Sequence, residues 1–179
     1  MIRLVEPSKQ LHASWWEGVE GFGVDVTLHG YSVFRFVLAD LATEPAFGDW
    51  LDQQRRNVTD PPEGFVPATL FWIVDDLAPD RVLGSLHLRH QLNAFLLEEG
   101  GHIGYGVRPS ARGRGVATNA LREAVAYAGS LGIDRVLVTC DDDNAPSRRT
   151  IERCGGVLED VRHGKLRYWI TTPHPTLVE

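Results

Sequence analysis

Residues 112 to 118 have the composition of a turn that binds an anion. They read Arg-Gly-Arg-Gly-Val-Ala-Thr and stand between a predicted strand and a predicted helix. Glycines let the backbone adopt positive φ and approach an anion closely, and the first turn of a helix has N–H groups with no partner inside the helix. The pattern therefore predicts a phosphate site, formed by Arg112, Gly113, Arg114, Gly115, Val116, Ala117 and Thr118.

Three better-known classes of site fit this turn poorly. The P-loop signature G-x-x-x-x-G-K-[ST] is absent from the chain. A dinucleotide-binding turn needs a third glycine, and Thr118 stands at that position. A surface for single-stranded nucleic acid would interleave aromatic residues with the arginines, and none is present here. An ordinary solvated turn remains the open alternative.

The composition is typical of a soluble globular protein with an acidic surface. The chain has 179 residues and a formal net charge of -6, and we expect a single domain over residues 1–179. The acidic balance argues against nucleic acid as a partner, because such binding depends on excess positive charge. Cys140 and Cys154 have no metal-ligand spacing, so we expect no metal.

Targeting signals are not evident in the sequence. The N-terminus lacks the apolar stretch of a signal peptide. No segment reaches the roughly 18 apolar residues that a membrane span needs. The expectation is a cytoplasmic protein with no membrane partner.

The elements that would position the turn follow from hydrophobic periodicity. Apolar residues recur at i, i+3, i+4 and i+7 from Ala117 to Leu131, which predicts a long helix directly after the turn. Asn144 and Pro146 predict the start of a shorter helix, and two more helical regions are predicted, one from Ser8 and one at 46–56. Strands are predicted over residues 2–6, 69–74, 82–89, 101–108, 136–140, 157–161 and 166–171.

Two motifs in chain order give a resemblance to a known family. Arg112, Gly115 and Ala117 form R-x-x-G-x-A between a strand and a helix, and Asn144 and Ser147 form N-x-x-S at the second helix. These motifs resemble those of the GNAT N-acetyltransferase superfamily over residues 70–170. Segments 89–93, 100–105 and 139–144 are similar to a bacterial branch of predicted acetyltransferases.

The resemblance implies a fold and a reaction. The implied fold is α/β and GNAT-like, with a central mixed, largely antiparallel twisted sheet of about six or seven strands flanked by about four helices. The implied co-substrate is acetyl-CoA, whose acetyl group a primary amine of a small molecule or peptide attacks directly in a ternary complex. We expect a monomer or a homodimer. The alternatives are a catalytically silent CoA-binding module and a transferase that uses another acyl-CoA.

The resemblance also implies roles for the residues of the binding site. Val107 and its neighbours would hold the pantetheine amides with their backbone. The N–H groups from Gly113 to Thr118 would hold the pyrophosphate. Asn144 would contact the pantetheine arm, with Ser147 one helical turn further on.

The proton transfers of the implied reaction need a base and an acid. His102 stands near the start of the strand that leads into the turn, where many relatives have a carboxylate, and is the candidate base because its unperturbed pKa of about 6.5 suits the task. Glu98 and Glu99 are competitors. Many relatives have a tyrosine as general acid at the position of Ile151. In its absence the weak candidates for the acid are Ser147, Tyr105 or water, while Arg89 is a candidate for binding a substrate carboxylate.

Overall fold

The computed structural model describes residues 1–173 and shows a seven-stranded sheet in the order β1-β2-β3-β4-β5-β7-β6. Strands β1 to β4 form an antiparallel meander, β4 and β5 are parallel, and β5, β7 and β6 are antiparallel. The strands are β1 Ile2–Val5, β2 Ala68–Asp75, β3 Gly84–Arg89, β4 Ile103–Val107, β5 Arg135–Asp141, β6 Val157–Arg162 and β7 Lys165–Thr171. The helices are α1 His12–Glu20, α2 Ala46–Arg56, α3 Val116–Ser130 and α4 Ala145–Arg153.

Each face of the sheet buries its own apolar core. On one face the apolar side of α3 packs on the sheet, and Ala120, Leu121 and Ala124 are fully buried there. On the other face α1 and α2 bring together Trp15, Trp50 and Trp72, whose rings lie 5.0 to 6.3 Å apart. Helices on both faces of a mixed sheet confirm the predicted fold class.

The strand that leads into the glycine-rich turn is shorter than predicted. β4 begins at Ile103 rather than at residue 101, because Gly101 has a φ of +64° and leaves the extended conformation. Its other end is fixed by Arg108, a residue that is 4% exposed. The guanidinium of Arg108 donates to Glu17 of α1 over 2.6 Å and to the carbonyl of Val82. The start of the turn is therefore held against α1.

The segment between β3 and β4 contains a helical turn that the sequence analysis did not predict. The turn Leu96–Gly100 packs on the sheet, with Leu96 buried. Thr139 of β5 donates its hydroxyl to the carbonyl of Glu99, and Arg167 of β7 donates to the carbonyl of Leu97. This turn therefore covers the end of the sheet where β4 and β5 meet.

Candidate functional site

The parallel strands β4 and β5 separate after a single residue pair. Ile103 lies opposite Val138, and no further pair joins the two strands. β5 continues to Asp141 and β4 to Val107, so the strands diverge toward their C-terminal ends. A gap therefore opens in the middle of the sheet, at the end nearest the glycine-rich turn.

The backbone of β4 directs hydrogen-bonding groups into this gap. Arg89 donates its backbone N–H to the carbonyl of His102, and Arg108 donates its backbone N–H to the carbonyl of Leu83, so these residues mark hydrogen-bonded positions of the β3–β4 ladder. Bonding alternates along an antiparallel pair. The N–H groups of Tyr105 and Val107 therefore point away from β3 and into the gap.

The predicted anion-binding turn lies directly beyond the gap. Gly113 and Gly115 have φ values of +72° and +74°, and Gly115 is the N-cap of α3 with no side-chain cap. The first N–H groups of a fifteen-residue helix are left without intrahelical partners there. They carry the positive end of the helix dipole. Residues Arg112 to Gly115 are exposed, which leaves this end open to an anion.

The two arginines of the turn differ in their contacts. Arg112 donates its Nε–H to the carbonyl of Val107 over 3.1 Å, and its guanidinium lies 5.5 Å from the centre of the Phe22 ring. It therefore occupies the carbonyl of Val107 and leaves the N–H of that residue facing the gap. Arg114 is exposed at the tip of the turn.

The start of α4 brings two of the predicted site residues, Asn144 and Ser147, to the other side of the gap. Asn144 accepts a hydrogen bond from the backbone N–H of Ser147 and so caps α4. The hydroxyl groups of Tyr105 and Ser147 lie 2.8 Å apart, which bridges β4 to α4. Burial raises the pKa of Tyr105 to about 12, against a smaller lowering by its bond to Ser147, so the phenol is protonated at neutral pH.

His102 sits at the closed end of the gap in a structural environment. Its backbone N–H donates to the carbonyl of Leu137, and its ring Nδ1 accepts the backbone N–H of Leu137 over 2.8 Å. The neutral ring must then carry its proton on Nε2. Burial, together with the charge of Arg89, lowers the pKa of His102 to about 4. Both observations argue against the predicted role as base, which stays a prediction.

The face of β4 that points away from α3 is partly covered by the loop between α1 and α2. Gly30, at a φ of +79°, lies so close to β4 that a Cβ there would be 2.6 Å from the Cα of Tyr105 and 2.7 Å from the carbonyl of Gly104. Between this loop and the turn Leu96–Gly100 lies a part of the sheet that we call the β3–β4 strip, formed by His87, Arg89 and Gly104. Arg89 and Gly104 are partly exposed.

A small cavity adjoins the β3–β4 strip. His87 lines it, with a buried Nε2 that has no hydrogen-bond partner among residues 1–173. Burial lowers the pKa of His87 to about 3, with a further lowering by Arg89 and His90. The cavity measures about 30 Å³, which is too small for an organic amine. This cavity is therefore not the space that an acceptor would occupy.

Other predicted features fall outside this centre. Ile151 is fully buried in the core under α4. Glu98 forms an ion pair with Arg162 over 2.8 Å at the edge of the sheet. Within residues 1–173 no group of three His, Cys, Asp or Glu side chains is arranged to hold a metal ion. In the same range, every helix is too short or too polar to cross a membrane.

Two features were not predicted from the sequence: the hydrogen bonds between Leu137 and His102, and the contact of Gly30 with β4. A histidine in a strand carries no signal of which backbone group its ring will meet. Gly30 lies in the stretch between residues 24 and 64, where the only predicted helix or strand was the helix at 46–56. Both features depend on contacts between segments that are distant in the chain.

A family model described as an acetyltransferase (GNAT) domain matches residues 32–157. This range contains β4, the gap, the glycine-rich turn, α3 and α4. No curated protein sequence matches the chain.

Solved structures of acetyltransferases share the fold at low sequence identity. RimJ of Mycobacterium smegmatis, in complex with a CoA disulfide, is 19% identical with a TM-score of 0.69, over 95% of this chain and 81% of that one. The microcin self-immunity acetyltransferase MccE, in complex with acetyl-CoA and AMP, is 17% identical with a TM-score of 0.63, over 95% and 92%. RimL, a ribosomal-protein alpha-N-acetyltransferase in complex with coenzyme A, is 16% identical with a TM-score of 0.63, over 96% and 94%.

Proposed function

The chain belongs to the GNAT acetyltransferase family, and we propose that it transfers the acetyl group of acetyl-CoA to a primary amine by direct attack in a ternary complex. The observation that carries this proposal is the gap between β4 and β5, which runs from the bridge of Tyr105 and Ser147 to the open N-terminus of α3. Backbone N–H groups follow one another in a row along this gap. They suit an extended ligand that has amides at one end and phosphates at the other.

The donor would lie along this row. The N–H groups from Gly113 to Thr118 would bind the pyrophosphate, since they combine positive φ at two glycines with an uncapped helix start. The N–H groups of Tyr105 and Val107 would bind the pantetheine amides. Asn144 has its carbonyl oxygen engaged in the cap of α4, so its side-chain NH₂ is the part available to the pantetheine arm. The complexes of MccE and RimL with acetyl-CoA and CoA support this choice of donor.

The chemistry requires two proton transfers. The acceptor amine must lose a proton, and the leaving thiolate, with a pKa of about 8.5, benefits from gaining one. Tyr105 is our candidate acid, because its phenol is protonated at neutral pH and Ser147 holds it across the gap. Because Nδ1 of His102 is occupied by Leu137, we propose that water in the β3–β4 strip takes the proton of the amine and that His102 positions β4 against β5.

The test of the proposed function separates donor binding from turnover. Calorimetry on the purified chain should show binding of CoA and acetyl-CoA below millimolar concentration, and thiol release should appear with a primary amine. Absence of CoA binding would defeat the proposal. Binding without thiol release over a broad amine panel would favour the silent CoA-binding module. If the chain prefers another acyl-CoA, mass spectrometry of the product formed from a mixture of acyl-CoAs would identify the acyl group.

A further inference from the structure

Arg89 holds an unusual position on the β3–β4 strip. It is the last residue of β3 and lies over Gly104 of β4, where a Cβ would be 3.7 Å from Nη1 and 3.9 Å from Nη2. Nη1 donates to the carbonyls of Gly100 and Gly101 over 3.2 and 3.3 Å. These two bonds fix the plane of the guanidinium and involve only one of its nitrogens.

The charge of Arg89 is not balanced within the part of the chain that the structure describes. Other buried arginines have acidic partners: Arg108 pairs with Glu17, and Arg167 pairs with Glu159 and Asp160. Arg89 has no carboxylate within 4 Å among residues 1–173, and burial alone lowers its pKa to about 10. It is still a cation at neutral pH. A partly buried cation without a counter-ion is unfavourable, and a guanidinium has five N–H donors to satisfy.

The neighbours of Arg89 leave this positive charge uncompensated. His87 is on the same face of β3, and His102 follows the carbonyls that Arg89 binds. Both rings are neutral at pH 7, since the pKa of each is lowered by burial and then by the charge of Arg89. The β3–β4 strip therefore carries one positive charge in a chain whose formal net charge is -6.

The distance between this charge and the gap is short. Arg89 lies over Gly104, and the next residue, Tyr105, directs its N–H into the gap where the donor would bind. Consecutive Cα atoms are about 3.8 Å apart. Consider an acceptor that lies on the strip with its amine in the gap. If this acceptor also has an anionic group a few bonds from the amine, that group would lie beside the guanidinium of Arg89.

We propose that Arg89 binds an oxyanion of the acceptor, a carboxylate or a phosphate, so that the acceptors of this chain are small anionic amines such as amino acids or aminoalkyl phosphates. The proposal rests on the proposed acetyl transfer and adds the class of acceptor. A guanidinium suits this role because its parallel N–H groups bind two oxygens of a carboxylate or phosphate at once.

The experiment compares matched amines with and without the anion, each rate being divided by the fraction of unprotonated amine at the pH of the assay. Thiol release from acetyl-CoA is measured with free α-amino acids and their α-carboxamides, and with aminoethyl phosphate and ethanolamine. We expect the anionic member of a pair to have a kcat/KM about 10- to 100-fold higher, which is the usual strength of a charged hydrogen bond. The pair with the larger ratio shows whether the oxyanion is a carboxylate or a phosphate.

Variants show whether Arg89 is the source of the preference. Arg89→Gln should abolish the ratio between the paired amines, mainly by raising KM for the anionic one, while Arg89→Lys should keep part of it. Arg55→Gln is the matched control, since Arg55 is an exposed arginine of α2 paired with Asp52. Thermal unfolding and CoA affinity of each variant show that the fold and the donor site persist.

A second readout needs no turnover. Saturation-transfer NMR on the complex with CoA compares N-acetylglycine with N-acetylglycinamide, and wild type should favour the acid while Arg89→Gln should not. Equal binding of both probes, equal rates with paired amines, or a preference that survives in Arg89→Gln would overturn the inference. Failure of the proposed function itself would look different, because the wild type would then either not bind CoA or release no thiol with any amine.

Discussion

The backbone N–H of Leu137 in β5 donates to the ring Nδ1 of His102 over 2.8 Å, while the backbone N–H of His102 donates to the carbonyl of Leu137 over 2.7 Å. An imidazole thus replaces a backbone acceptor where the parallel strands β4 and β5 meet. The residue that most resembled a catalytic base is, by its contacts, a link between the two halves of the sheet.

The first prediction separates these two roles of His102. His102→Ala leaves the buried N–H of Leu137 without a partner, which lowers the free energy of unfolding by about 1–3 kcal/mol, and we expect kcat/KM to fall with it. His102→Gln offers a carbonyl oxygen to the same N–H, so we expect it to recover most of the stability and activity. Urea unfolding and thiol release measure both. An inactive but fully stable His102→Gln would instead support the role as base.

A second prediction concerns stability in acid. The pKa values of His87 and His102 are lowered by burial to about 3 and 4, whereas in the unfolded chain they lie near 6.5. Between these values the unfolded state binds more protons, so stability rises with pH in this range and is lost as pH falls from about 6.5 toward 4. Urea unfolding from pH 7 to 4.5 should show this loss.

The matching control for acid stability is His102→Gln, which removes one of the two groups. Its free energy of unfolding should depend less steeply on pH between about 6.5 and 4 than that of the wild type. Replacement of His163, which is exposed in the turn between β6 and β7, should leave the slope unchanged. Parallel curves for wild type and His102→Gln would contradict the low pKa of His102.

A third prediction tests Tyr105 as the acid that protonates the leaving thiolate. Tyr105→Phe removes the hydroxyl that lies 2.8 Å from Ser147 and should lower kcat about 100-fold, the lower end of general acid catalysis, with CoA affinity nearly unchanged. Because the pKa of Tyr105 is raised to about 12, the kcat of the wild type should show no decline from its deprotonation up to pH 10.

The control for this variant is Tyr127→Phe. Tyr127 lies on α3 against Phe71, with ring centres 5.1 Å apart, and its side chain is 38% exposed. Loss of its hydroxyl should change neither kcat nor CoA affinity. If Tyr105→Phe turned over as fast as Tyr127→Phe, Ser147 or water would have to protonate the thiolate.

A fourth prediction uses the two glycines at the ends of α3. Gly115 and Gly132 have φ values of +74° and +79°, and neither position is sterically blocked. Alanine at either site should lower the free energy of unfolding by about 1 kcal/mol, because both require the left-handed conformation. Only Gly115→Ala should weaken CoA binding, by about tenfold in calorimetry, since only Gly115 lies in the predicted pyrophosphate site. Equal CoA affinities in the two variants would argue against that site.

Local patterns predicted most of the elements, because α3 has a long apolar face and the strands lie between clear turn residues. The order of the last strands was not predictable in this way. β7, rather than β6, pairs with β5, and either strand of a hairpin can do so on sequence alone. Of the candidate site, the glycine-rich turn followed from conformational rules that act within a few residues.

The roles of individual side chains were harder to foresee, since they depend on distant partners. His102 meets Leu137 across the sheet, and Arg89 binds carbonyls of Gly100 and Gly101 beyond an unpredicted helical turn. Its place on the predicted strand made Arg89 a candidate ligand for a carboxylate. The lack of an acidic partner within the described residues, which now supports that role, is a property of the folded chain alone.

Ligand binding in the gap between β4 and β5 would also stabilise the folded chain. A ligand that hydrogen-bonds into the gap binds the folded chain and has no site in the unfolded one, so it stabilises the fold by about 2.7 kcal/mol at a concentration one hundred times its Kd. If that ligand is acetyl-CoA, as we propose, the fraction of chains open to proteases falls as the donor accumulates. The abundance of the protein would then follow the supply of its own co-substrate.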